Sequence, residues 1–120
     1  MIRGRFSENY QIFFSLDLIA DEEFNLPVDA LLNTGFTGFL AINKQDVECL
    51  NWEYSDEEIL FTAQGFASFD KYIGKVLIDG HEFEIPIFAG DNIQEILMGS
   101  QWFRTFDLTV KYRKGEIILE

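Results

Sequence analysis

The chain has 120 residues, 48% of them hydrophobic, and its 9 basic against 21 acidic side chains give a formal net charge of -12. This length suffices for one packed core and is too short for two, so we expect a single domain over residues 1–120. The negative charge repels phosphate groups and anionic lipid surfaces, which excludes nucleic acid and membranes as predicted partners. No apolar run reaches the roughly 18 residues of a spanning helix, and the first residues lack a signal-peptide pattern. We therefore predict a soluble, cytoplasmic protein.

A single cysteine and a single histidine restrict the available chemistry. Cys49 cannot form an internal disulfide, and we expect it to be a small buried group. His81 follows an Asp79-Gly80 turn and has no other ligand at metal-binding spacing, so we expect an exposed hairpin histidine. The sequence thus predicts no cofactor and no metal site.

Alternation of apolar and polar residues is the main periodic signal along the chain. It covers residues 12–18, 83–87 and 108–112, and it predicts half-buried strands there. Turn residues or short acidic runs separate the strands at 21–23, 64–65, 79–80, 90–92 and 114–115. The pattern predicts a mostly antiparallel β domain.

Two short helices interrupt this pattern. Asn43 is a candidate N-cap for a helix from about Lys44 to Asn51. Ser100 is a candidate N-cap for a second helix that extends to Phe106, because apolar residues recur there at helical spacing. Neither helix is long enough to change the predicted class.

The most informative segment is residues 30–40, which read Ala-Leu-Leu-Asn-Thr-Gly-Phe-Thr-Gly-Phe-Leu. An apolar strand runs into Asn33, Thr34 and Gly35, which suits a tight loop that presents a side chain at a strand end. A strand that ends in a glycine-containing turn occurs in any β protein. The residues alone therefore leave an ordinary turn as an open interpretation.

This segment resembles the active-site loop of bacterial and cyanobacterial retropepsin-like aspartic proteases, in which apolar residues precede Asp-Thr-Gly. Asn33 stands at the aspartate position. Residues 95–99, which end in Met98 and Gly99, resemble the late apolar-apolar-Gly motif of the same family, which crosses behind the active loop. The resemblance implies a mostly β, single-lobe retropepsin-like acid protease fold, with closed barrel-like sheets and one or two short helices.

The family chemistry depends on two carboxylates that share one proton, hold a water and act on a peptide bond. Because one chain supplies one such loop, the resemblance implies a homodimer in which both copies of residue 33 face each other. It implies that Asn33, Thr34 and Gly35 form the catalytic loop, with the Thr34 hydroxyl joining the two loops. The implied partner is a peptide or protein, as substrate or ligand.

The resemblance also implies a flap, formed by a long hairpin between Ile59 and Ile78. Gln64 and Gly65 would form its tip, and Phe66 would contact the bound peptide. Phe36, next to the catalytic loop, is a further candidate for substrate binding, as is Phe69. With 13 phenylalanines in the chain, packing in the core or in a dimer is the competing interpretation for these rings.

Asparagine at position 33 removes the proton that the chemistry requires, because an amide cannot act as a general base toward water. The nearest upstream carboxylate, Asp29, would lie about 13 Å away along the strand, too far to replace it. The resemblance implies an aspartic-type endopeptidase, and Asn33 predicts that this sequence is inactive. Asn33 could belong to a natural pseudo-protease, could have been introduced to prevent self-cleavage, or could be only a turn residue. The alternative function is a non-catalytic peptide-binding or dimerisation module on the same fold.

Overall fold

The computed structural model describes residues 1–20, 24–62 and 64–120. Its strands are β1 (Ile2–Arg3), β2 (Arg5–Phe6), β3 (Ile12–Ile19), β4 (Asn25–Leu32), β5 (Leu40–Asn43), β6 (Glu53–Thr62), β7 (Gly65–Ile78), β8 (His81–Gly90), β9 (Ile96–Met98), β10 (Leu108–Lys111) and β11 (Glu116–Leu119). One α-helix, α1 (Lys44–Val47), and two 3-10 helices at Ser100–Arg104 and Tyr112–Lys114 complete the described elements. The acidic turn predicted at 21–23 lies outside the described residues.

Six strands form a closed barrel in the order β3-β4-β9-β5-β8-β7, and the pairing of β3 with β7 closes it. Strand β2 extends the sheet beyond β3, and β6 extends it beyond β7. A separate sheet has the order β1-β11-β10. The predicted mostly β fold, with closed barrel-like sheets and short helices, is confirmed.

The strand alternation explains the core. In β3, Phe14, Leu16 and Leu18 are almost fully buried, whereas Ser15 between them is exposed. Trp102 is completely buried and packs with this core. Full burial of an aromatic or aliphatic side chain of this size stabilises the fold by roughly 1.5–3 kcal/mol. The core thus holds the barrel strands and the 3-10 helix together.

The first predicted helix is shorter than expected. Asn43 is its N-cap, since its Oδ1 accepts a hydrogen bond from the Gln45 N–H at 3.0 Å. The α-helix ends at Val47, and Leu50 N–H then donates to the Val47 carbonyl, which tightens the following turn. Asn51, at the end of that turn, has a φ of 56°, a left-handed conformation that asparagine tolerates and that cannot continue a helix. No helix in the described part of the chain is long and apolar enough to cross a membrane.

The second predicted helix is a 3-10 helix, and its N-cap is Gly99 instead of Ser100. Ser100 is its first helical residue, and no side chain caps it. The prediction of a Ser100 cap was wrong because the N–H groups of Gly99 and Ser100 donate to carbonyls of the loop at residues 36–39, and these bonds decide where the helix begins.

The prediction for Cys49 was also wrong, because its side chain is exposed. Its Sγ lies 3.0 Å from the Asp46 carbonyl oxygen, to which the thiol donates. Val47 at the end of the short helix and Leu50 in the turn that follows are both buried, and Cys49 between them faces outward.

Candidate active site

The two motifs found in the sequence meet because β4 and β9 pair in parallel. Leu32 is opposite Met98 in this register, and the Asn33 N–H donates to the Met98 carbonyl at 2.9 Å. Strand β9 also pairs with β5, where Leu40 is opposite Met98. The loop that starts at Asn33 therefore leaves the sheet on one side of β9 and re-enters it on the other.

The loop crosses directly over Gly99. The Gly99 N–H donates to the Phe39 carbonyl at 2.8 Å, and the Ser100 N–H donates to the Phe36 carbonyl at 2.8 Å. A Cβ on Gly99 would lie 2.1 Å from the Gly38 carbonyl oxygen and 2.7 Å from that of Phe36. Only glycine leaves room for this crossing.

Asn33 is exposed at the end of β4, and its side chain has a defined orientation. Its Oδ1 accepts a hydrogen bond from the Gly35 N–H at 3.0 Å. Because only the oxygen of an amide can accept from an N–H, this bond fixes which end of the amide faces the loop. The Nδ2 group is then the end available to other partners.

Asn33 lies in the wall of a cleft with a volume of about 470 Å³. Apart from Asn33 and Thr37, the residues that line the cleft are apolar or glycine. The cleft is lined by Asn33, Gly35, Phe36, Thr37, Ala41, Leu60, Phe61, Phe69, Ile93 and Leu97. Asn33 and Thr37 contribute its polar side chains, and no lining side chain carries a charge.

The long hairpin of β6 and β7 borders this cleft. Its last pair is Thr62 with Gly65, and Gly65 has a φ of 106°, which favours glycine at the turn. The Phe61 and Phe66 rings meet edge to face at 5.2 Å and are 77% and 79% exposed. Phe61 lines the cleft, whereas Phe66, Gln64 and Gly65 lie at the end of the hairpin outside the lining. Two large exposed rings therefore lie on the hairpin beside an apolar cleft.

Sequence reasoning had selected Phe36 and Phe69 but missed several other lining residues. Phe61 lies opposite Phe66 across the hairpin, a register that the predicted turn at residues 64–65 does not give, since that turn would place Phe61 opposite Ser68. Ile93 carried no comparable signal, since the path of the chain from β8 to β9 brings it to the cleft, whereas Leu97 belongs to the motif at residues 95–99.

A second groove, of about 340 Å³, lies on the other side of the Asn33 loop. Its lining residues share the absence of charge, in a chain that is 25% charged. They are Tyr10, Gln11, Ile12, Leu31, Leu32, Asn33, Thr34 and Tyr112. Tyr10 and Tyr112 are mostly exposed, and each ring contacts Phe6, with centroids at 5.8 Å and 5.1 Å. This uncharged groove contains Thr34, the residue expected to join two loops.

Asp29 does not supply a carboxylate to the Asn33 loop, because its carboxylate is engaged on the outside of β4. It accepts from Ser15 Oγ at 2.9 Å and from Arg5 Nη2 at 2.8 Å. The Ser15 hydroxyl, followed by the Arg5 guanidinium, holds the pKa of the Asp29 carboxyl below its ordinary value. A carboxylate with a lowered pKa is a poor base.

Replacing Ser15 with alanine is expected to raise the pKa of Asp29 toward its ordinary value, because the largest cause of the shift is removed. A carboxyl whose pKa is lowered by folding stabilises the fold above its ordinary pKa, and this contribution is lost as the pH falls through the lowered pKa. Titration of the Asp29 carboxyl carbon by NMR measures the change. An Asp29 pKa that is identical in Ser15→Ala and the unmodified chain would contradict this assignment.

A closed barrel in which an Asn-Thr-Gly loop crosses over a glycine near the C-terminus defines a single-lobe, retropepsin-like fold. Among solved structures, a retropepsin-like aspartic protease from Rickettsia conorii matches with a TM-score of 0.66 and 17% identity, over 98% of this chain and 88% of that one. The protease of Simian Foamy Virus (mac) matches with a TM-score of 0.53 and 15% identity, over 77% of this chain and 94% of that one. Sequence comparison finds no matching family model and no matching curated protein. The likeness at these identities establishes the fold.

Proposed function

We propose that the chain is an aspartic-endopeptidase-type protein whose homodimer forms a peptide-binding cleft, and that Asn33 makes the cleft catalytically inactive. The observation that carries this proposal is the Asn33 side chain, which is held by the Gly35 N–H in the wall of an apolar cleft beside a long hairpin. A retropepsin-like protease places an aspartate at this position. The amide preserves the shape of a carboxyl and removes its proton chemistry.

The hairpin of β6 and β7 fits the role of a flap. Leu60 and Phe61 already line the cleft, so a small movement of the hairpin would cover a bound peptide. Phe66 and the tip residues Gln64 and Gly65 would then approach the peptide or the flap of the second copy. Phe36 and Phe69 would contact apolar side chains of the peptide from the floor.

The uncharged groove beside Asn33 supports the homodimer. Two copies of a chain with a net charge of -12 repel each other, and the repulsion is smallest where the facing surfaces carry no charge. Exposed tyrosines are frequent at the centres of protein interfaces. A twofold axis beside Thr34 would bring the Tyr10 and Tyr112 rings of each copy toward the partner loop.

Replacing Tyr112 with glutamate is expected to weaken this dimer at least about tenfold, because two like charges would enter an uncharged interface and two anchoring rings would be lost. Sedimentation velocity over a concentration series measures the dissociation constant. Phe24→Glu is a matched control, since Phe24 is 54% exposed and precedes β4 at the end opposite Asn33. Equal dimerisation of the two variants would place the interface elsewhere.

The second candidate function is a non-catalytic peptide-binding or dimerisation module on the same fold. The apolar, uncharged lining of the cleft favours peptide binding in either case. Assay of the chain and its Asn33→Asp variant on a mixed peptide library separates the two. Cleavage by the aspartate form alone supports the endopeptidase type, whereas retained binding without cleavage by either form supports the module. The cytoplasmic location stays a prediction from the sequence.

A further inference from the structure

We propose that the turn between β10 and β11 is a binding site for a short acidic segment of a partner polypeptide. The residues of this turn, here named the basic turn, are Lys111, Tyr112, Arg113 and Lys114, and they line a surface groove of about 500 Å³. All four are exposed. The inference depends neither on the Asn33 cleft nor on the proposed dimer, and it gives the turn a partner of its own.

The charge of the basic turn is opposite to that of the chain as a whole. The turn holds three of the nine basic side chains, whereas the sequence has 21 acidic ones. The Debye length is about 8 Å at physiological ionic strength, so exposed carboxylates farther away contribute little to the potential at the turn. The local charge therefore attracts an anionic group, although the net charge of -12 repels it at long range.

The cations of the basic turn have no carboxylate of the described residues as a partner. Three of the other basic side chains form ion pairs across the fold. Within the described part of the chain, no carboxylate pairs with Lys111, Arg113 or Lys114, and this includes Glu116, which is opposite Lys111 in the strand register. Three like charges in four consecutive residues repel one another, and carboxylates of a partner would relieve this repulsion.

The backbone of the basic turn is ordered by the hairpin to which it belongs. Tyr112–Lys114 is a 3-10 helix, and the Gly115 N–H closes it by donating to the Tyr112 carbonyl at 3.2 Å. Ile117 and Leu119 in β11 are buried in the core and anchor the hairpin. A partner thus meets three long side chains on a fixed base, and the entropy lost by this protein on binding comes mainly from those side chains.

The size of the basic turn favours an acidic polypeptide over nucleic acid or a membrane. Duplexes and anionic membranes carry phosphates over distances far longer than four residues, so they would also face the carboxylates of the surrounding surface. A short acidic segment confines its charge to the turn. Its carboxylates also match the Arg113 guanidinium, which binds a carboxylate through two parallel hydrogen bonds.

The basic turn lies beside the proposed dimer contact. Tyr112 lines both the groove of the basic turn and the uncharged groove next to Asn33. Lys111, Arg113 and Lys114 do not line the uncharged groove, so the surface that a second copy would cover does not include them. The test therefore replaces the three cations and retains Tyr112.

Fluorescence anisotropy with a labelled peptide measures the binding. The probe is an amidated octapeptide with four central glutamates and a neutral fluorophore at its N-terminus, and the reference peptide has four glutamines instead. In about 0.15 M salt we expect the glutamate peptide to bind at least about tenfold more tightly, and we expect the difference to vanish near 1 M salt. In ¹⁵N NMR spectra, the backbone amides of residues 111–115 should shift with the glutamate peptide.

A triple variant tests whether the basic turn is the site. Lys111→Gln/Arg113→Gln/Lys114→Gln should bind the glutamate peptide about tenfold more weakly than the unmodified chain, because three exposed charge contacts are lost together.

The matched control is Arg3→Gln/Lys75→Gln/Arg104→Gln. It removes the same amount of positive charge at exposed positions that form no ion pair in the described residues. Its affinity for the glutamate peptide should stay within about twofold of that of the unmodified chain, because these charges are isolated from the turn and screened.

Four results would overturn the proposal. Equal binding of the glutamate and glutamine peptides would exclude recognition of acidic side chains, and equal weakening in both triple variants would show that net charge governs the binding. Unshifted amides at residues 111–115 of the unmodified chain would place the site elsewhere, whether or not the variants fold. Tighter binding of duplex DNA or of phosphatidylserine vesicles than of the glutamate peptide would overturn the choice of a polypeptide partner.

Discussion

Replacement of Asn33 with aspartate is expected to produce peptide hydrolysis that exceeds that of the unmodified chain by at least about 10²-fold. A carboxylate oxygen can keep the hydrogen bond that Asn33 Oδ1 accepts from the Gly35 N–H, so the loop needs no rearrangement. In a dimer, the two new carboxyls would share one proton, which allows one to act as base toward water and the other as acid. Release of a fluorescent group from an internally quenched peptide measures the rate.

The pH dependence of this variant follows from the shared proton. Activity requires one protonated and one ionised carboxyl, so the rate should fall at low pH, where both are protonated, and at high pH, where both are ionised. The unmodified chain should show no such bell-shaped profile, because Asn33 does not titrate.

Two control variants separate the effect of a carboxyl at position 33 from the loss of the amide and from the added negative charge. Asn33→Ala removes the amide without adding a carboxyl and should remain inactive, and Asn9→Asp adds the same negative charge outside the cleft and should also remain inactive. Absence of cleavage by an Asn33→Asp protein that is folded and dimeric by sedimentation would contradict an aspartic-protease site. The non-catalytic module would then be the remaining function.

The barrel strands were predictable because their signal is local. Alternation over residues 12–18 places Phe14 and Leu16 inside, and the turn residues Asp79 and Gly80 separate β7 from β8 as expected. The parallel pairing of β4 with β9 had no local signal, since these strands are more than sixty residues apart in the sequence. The resemblance implied only that the motif at residues 95–99 crosses behind the active loop.

The errors at Ser100 and Cys49 have a common physical origin. A serine before an apolar run favours an N-cap, but tertiary hydrogen bonds from Gly99 and Ser100 to the crossing loop decide where this helix begins. Cysteine is buried in most proteins, but the helix ends at Val47, and in the turn that follows Leu50 is buried while Cys49 is exposed. The preference of serine for N-caps and of cysteine for buried positions is only statistical. The packing of the surrounding structure overrides that preference at both positions.

The residues that line the cleft were also only partly predictable from the sequence. Asn33, Phe36 and Phe69 were selected from the sequence, and the structure places all three in one cleft. Leu97 joins them because β9 pairs with β4 and β5, and Ile93 joins them from the segment between β8 and β9. A site that is assembled from several strands can be predicted only as far as its loop motif is recognisable.

Replacement of Gly99 with alanine is expected to lower the free energy of unfolding by about 3 kcal/mol, the upper end of what overpacking usually costs. The new methyl group would lie 2.1 Å from the Gly38 carbonyl oxygen and 2.7 Å from that of Phe36. Both atoms belong to the backbone of the crossing loop, so no change of rotamer can relieve the contact. Urea unfolding, followed by tryptophan fluorescence, measures the change, since Trp102 is fully buried three residues away.

Gly115→Ala separates this steric cost from the general cost of losing a glycine. Gly115 has a φ of 64° and open space around its Cα, so alanine there suffers only the strain of a left-handed conformation, about 1 kcal/mol. Gly99 has a φ of -91°, which any residue can adopt, and its whole penalty comes from the crossing loop. A Gly99→Ala protein as stable as Gly115→Ala would mean that the loop can lift away from β9. Since Asn33 N–H is bonded to the Met98 carbonyl next to Gly99, such a lift would also release the residue on which the proposed function depends.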